Sequence, residues 1–160
     1  MLKTSIAVAA VAVALAATSV AAWSHDGPKM DKPKFAAGEP GDPKKPARTV
    51  KVVMREDGKK MLFEPARIDV RKGEQIRFVL DNAGAKDHEF VLATVKENKL
   101  HAAEMKKNPH MEHDDPNAKQ LAASLSGEIL WKFTKAGTFE YACLIPGHYE
   151  AGMHGTVVVK

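Results

Sequence analysis

Gly137-Thr-Phe-Glu-Tyr-Ala-Cys143-Leu-Ile-Pro-Gly-His148-Tyr-Glu-Ala-Gly-Met153-His-Gly-Thr-Val-Val-Val-Lys160 is the stretch whose reading decides the fold. Thr138 to Cys143 and Thr156 to Lys160 are rich in β-branched and aromatic residues, which predicts two strands. Pro146, Gly147 and Gly152 break the segment between them into a loop. That loop carries a thiol at 143, an imidazole at 148 and a thioether at 153. Cys143 is the only cysteine of the 160 residues, so it has no disulfide partner within the chain. Soft sulfur donors beside an imidazole suit copper, and two histidines, one cysteine and a weak axial methionine make a one-electron copper site. A dinuclear copper centre would need a second bridging cysteine. Structural zinc sites are built from cysteine and histidine rather than thioether.

Working outward, the rest of the chain also reads as strands. Thr49–Met54 is β-rich and Glu56-Asp57-Gly58-Lys59 reads as a turn before Met61–Phe63. Ile68 and Val70 alternate with charged residues. Gln75–Leu80 alternates again and runs into the turn Asp81-Asn82-Ala83-Gly84. His88–Thr94 and Glu128–Thr134 complete the set. Short strands punctuated by Gly and Pro predict an all-β, Greek-key β-sandwich or barrel. Val95–Ser124 interrupts them as a partly helical insert before the last three strands, with a helix over Glu97–Lys107 stopped at Asn108-Pro109 and a helical turn over Ala118–Ala123.

Upstream, Lys3 precedes a small, apolar run from Ser5 to Val20, followed by Ala22, Ser24 and the polar His25-Asp26-Gly27-Pro28. This is the layout of a secretory signal peptide over residues 1–24, and the run is short for a membrane span. Export to a periplasm and no membrane span after cleavage are expected. An unpaired thiol in an oxidising compartment is then best explained as a metal ligand. Residues 25–48 are rich in Pro, Gly and Lys and read as a flexible arm, leaving 49–160 as one domain. The net charge of +4 is a modest surplus, and with no Arg-rich tract or series of stacking aromatics nucleic acid is not an expected partner.

The fourth ligand must come from upstream. His25 lies in the arm, and His101, His110 and His113 lie in the insert. His88 alone stands at the start of a predicted strand, where the scaffold can fix its ring.

Cys143-x₄-His148-x₄-Met153 with Gly155 and a final strand resembles the cupredoxin (type 1 copper) family. The loop spacing is similar to that of rusticyanin and auracyanin, and the resemblance spans about Thr49 to Lys160. It implies His88, Cys143 and His148 as equatorial ligands, Met153 as the axial one, and His148 as the port at which a redox partner protein docks. A monomer that is not an enzyme is expected.

His101 and Met105 are spaced i, i+4 and would share one helix face. His110, Met111 and His113 follow closely, so the five residues form a candidate second copper site. Met111-Glu-His-Asp-Asp-Pro-Asn117 is similar to a segment of small exported bacterial cupredoxins linked to copper tolerance. The expected function is therefore reversible Cu(II)/Cu(I) electron transfer in the service of periplasmic copper handling. The alternative is a dedicated shuttle to a respiratory reductase or oxidase.

Overall fold

The computed structural model describes residues 35–108 and 115–160. The predicted signal segment, residues 25–34 of the arm, and His110, Met111 and His113 lie outside the described residues. Among the described residues, ten strands and one helix follow in the order β1 (Glu39–Pro40), β2 (Arg48–Asp57), β3 (Lys60–Glu64), β4 (Arg67–Val70), β5 (Gln75–Asn82), β6 (His88–Ala93), α1 (Val95–Lys107), β7 (Ala118–Leu121), β8 (Ser126–Lys132), β9 (Gly137–Ala142) and β10 (His154–Val159). They form two five-stranded sheets, ordered β1-β8-β5-β2-β3 and β4-β10-β9-β6-β7. The pairs β2–β5 and β4–β10 are parallel and the others antiparallel.

Period-2 alternation explains the two layers. In β5, Ile76, Phe78 and Leu80 are fully buried while Arg77 and Val79 face outward and stay half-buried. They join Val52, Met54 and Trp131 of the same sheet, and Phe90, Leu92, Tyr141 and Val157 of the other, in one continuous core. Phe90 stacks on Tyr141 with ring centroids 5.3 Å apart, and Phe63 meets both edge-on. This aromatic layer lies directly beneath the ligand-bearing ends of β6 and β9.

Strand β6 is buried along its whole length because both of its faces are covered. Phe90 and Leu92 enter the core, whereas Val91 packs with Ala142, Leu144 and Ala102 of α1 on the opposite face. Thr94 starts the helix through a capping box with Glu97, and Lys106 and Lys107 end it favourably for the helix dipole. The cap sets the start at Val95, two residues ahead of the predicted Glu97.

Two expectations are corrected. Residues 35–48 belong to the domain and are not part of a flexible arm. Ala37 is fully buried, Phe35 packs edge-on against Trp131 at 5.3 Å, and β1 pairs with β8. Gln75 bonds the backbone of Asp42 and Lys45, and the Trp131 indole N–H donates to the Ala37 carbonyl. Proline richness suppressed the strand signal, but distant side chains satisfy this backbone. Ala118–Leu121 is an edge strand rather than a helical turn. Its local preference yields to pairing with β6, where His88 faces Leu121.

Candidate metal centre

Two strands and one loop bring the predicted residues together. His88 opens β6, Cys143 follows directly on β9, and His148 lies midway along the loop to β10. A ligand atom from each lies within 4.8 Å of the others. His88 Nδ1 is 3.2 Å from His148 Nδ1, which is 3.3 Å from Cys143 Sγ. His88 and Cys143 are fully buried, while His148 keeps 9% of its surface accessible.

The loop holds itself in shape. The His148 N–H donates to the Ile145 carbonyl, Ala151 N–H to Gly147, and Gly152 N–H to Tyr149. Gly147 has φ +90°, a left-handed conformation that a side chain would strain. Met153 closes the loop through its backbone, its N–H donating to His148 and its carbonyl accepting from Cys143. Its side chain is fully buried in the same cluster as Cys143.

The other end of the site rests on two residues that the sequence reading treated only as turn formers. Asn82 is fully buried, and its amide N–H₂ donates to the carbonyls of Lys86, Leu121 and Ala122. Its Oδ1 accepts from the Gly84 N–H, so one side chain ties the turn before His88 to the end of β7. Glu56, at the far end of β2, places a carboxylate oxygen 3.1 Å from His88 Nε2. Neither contact has a sequence signature, because Glu56 and His88 are 32 residues apart and meet only when β2 and β6 are packed.

The electrostatics suit a cation. Burial pushes the Cys143 thiol up to about 12, against the backbone N–H groups of Glu89 and Ile145 that favour the thiolate. The Glu89 N–H lies 3.3 Å from the sulfur. Burial lowers the pKa of both imidazoles, keeping them neutral, and the Glu56 carboxylate offsets only part of this at His88. Two neutral imidazoles and a buried sulfur contain no positive charge to stabilise a thiolate, so a soft divalent or monovalent cation fits the donor set.

A model of the copper binding proteins of the plastocyanin/azurin family matches residues 50–160. The chain belongs to this cupredoxin family. It is 58% identical over 123 residues to the copper-resistant cuproprotein CopI of Rubrivivax gelatinosus, covering 77% of this chain and 73% of that protein. It is 34% identical to the copper-resistant cuproprotein CopI of Pseudomonas aeruginosa, covering 78% and 83%. Among solved structures, auracyanin B superposes with a TM-score of 0.63 at 26% identity, covering 78% of this chain and 96% of that one. Copper is thus the metal that His88, Cys143 and His148 of this cupredoxin are arranged to hold.

Of the candidate second site, His101 and Met105 are on α1 as predicted, with Met105 buried and His101 half-buried. His110, Met111 and His113 fall outside the described residues.

Proposed function

We propose that this cupredoxin is a periplasmic type 1 copper protein with Met153 as axial ligand, whose elementary act is reversible one-electron transfer in copper handling. The convergence of His88, Cys143 and His148 within 4.8 Å carries this reading. Bound copper supplies the Cu(II)/Cu(I) couple, and every other requirement falls on the chain.

Cys143 and His88 are fixed at the ends of neighbouring strands, and the loop is cross-linked by its own hydrogen bonds. Such a frame keeps the donors from relaxing between oxidation states. Burial excludes water. His148 alone reaches the surface, flanked by exposed Pro146 and half-buried Ile145 and Tyr149, so it is the natural electron port and docking point for a redox partner protein. Met153, buried in the same cluster as Cys143, would supply a thioether as a fourth donor, and a copper held by four protein donors would leave no open place for substrate, which supports a non-enzymatic role.

The copper-resistance names of the two CopI relatives favour copper handling over a respiratory shuttle. Export rests on the signal-like segment. Among the described residues, no helix is long and apolar enough to cross a membrane.

The primary site is tested by Cys143→Ala. The wild-type protein should bind one copper at this site with intense thiolate-to-copper absorption, and the variant should lose that band; a surviving band refutes the assignment. Deletion of the gene should make cells sensitive to copper. Unchanged growth in high copper with loss of a respiratory activity would favour the shuttle instead.

A further inference from the structure

We infer that Glu56 is a positioning residue for the metal centre: its carboxylate fixes His88 as the Nε2–H tautomer and so presents a bare Nδ1 to the cation. The inference rests on the type 1 copper reading and adds to it a residue outside the ligand set.

The argument begins with what holds Glu56. Its Oε2 accepts from the Ala85 N–H at 2.9 Å and its Oε1 from the Lys86 N–H at 3.1 Å. Gly84 leaves the room this needs, since a Cβ there would lie 2.5 Å from Glu56 Oε2. The carboxylate therefore sits in a cradle formed by three successive residues of the turn that leads into β6. Both of its oxygens thus accept backbone N–H groups, as a carboxylate does. An ionised carboxylate only accepts hydrogen bonds.

Glu56 Oε1 is 3.1 Å from His88 Nε2, so the shared proton belongs to Nε2. A neutral imidazole carries one proton, which leaves Nδ1 as a lone pair. Nδ1 is the atom that faces His148 Nδ1 at 3.2 Å, and Cys143 Sγ lies 3.3 Å from that same His148 nitrogen. The correct donor atom is thus exposed to the cation before any cation arrives. The negative charge behind the ring also raises its basicity, which favours the more highly charged oxidation state. Cys143, His148 and Met153 sit on a loop that is fixed locally. His88 has no such loop, and Glu56 supplies its orientation from the other sheet.

Two measurements test this separately from the copper reading. In the metal-free wild-type protein at pH 8, ¹⁵N NMR should show His88 protonated at Nε2 and bare at Nδ1; the opposite tautomer overturns the inference. Glu56→Ala should lose this preference, weaken copper binding by roughly 10- to 100-fold, and raise the reduction potential. A tenfold greater loss for Cu(II) than for Cu(I) corresponds to about 59 mV. Glu56→Gln, which keeps an acceptor but removes the charge, should retain the tautomer and the visible spectrum while its potential still rises. Unchanged copper affinity and potential in Glu56→Ala would refute a positioning role. A wild-type protein without thiolate-to-copper absorption would refute the type 1 reading instead, and the metal-free NMR result would still stand or fall alone.

Discussion

Replacing Asn82 gives the sharpest test of how the scaffold holds His88. The amide N–H₂ has two hydrogens for three carbonyls, those of Lys86 at 2.8 Å, Leu121 at 3.0 Å and Ala122 at 3.1 Å. Two of these contacts therefore share one hydrogen. With the Gly84 N–H donating to Oδ1 at 3.0 Å, the side chain makes three full hydrogen bonds in a fully buried position. At about 1 kcal/mol each, Asn82→Ala should cost about 3 kcal/mol. For a domain of this size that lowers Tm by about 10 °C. Asn82→Asp is nearly isosteric but replaces both donors by a negative charge facing carbonyl oxygens. It should cost more than alanine at neutral pH. Its carboxyl would be raised in the folded state, so the penalty should grow as pH rises through the unfolded value of about 3.9 and fade below it. Thermal unfolding of the metal-free proteins between pH 3 and 7 measures this. A loss below about 1 kcal/mol for Asn82→Ala, or an aspartate variant as stable as wild type at pH 7, would refute the clamp.

Two further outcomes are expected. A chain beginning at residue 49 should be less stable than one beginning at residue 33 by at least about 2 kcal/mol, because it loses Ala37 and the Phe35 cover over Trp131; equal urea midpoints would return residues 35–48 to the status of an arm. If the insert binds copper, titration of the metal-free protein should exceed one equivalent and fall to one in a His110/Met111/His113 triple alanine variant, whereas one equivalent in both removes the second site.

The sequence alone determined the chemistry of the loop. Cys143, His148 and Met153 are near neighbours along the chain, so their spacing exposes the donor set whatever the rest of the fold does. Period-2 alternation in Gln75–Leu80 and the strands around it likewise exposed the sandwich, because one face of each strand must be buried. His88 could be chosen by its place at a strand start.

Only the tertiary structure decided what surrounds that site. The proline-rich segment from Phe35 to Arg48 carries too little local signal to predict its order, and its partners, Gln75 and Trp131, lie tens of residues away. Ala118–Leu121 became a strand through the free edge of β6, which its own composition does not announce. Glu56 and Asn82 looked like ordinary turn residues because a hydrogen bond across 32 or 39 residues leaves no periodicity to read. Ligands that share a loop are written in the sequence; the groups that hold a ligand from another strand are defined only when the sheets are packed.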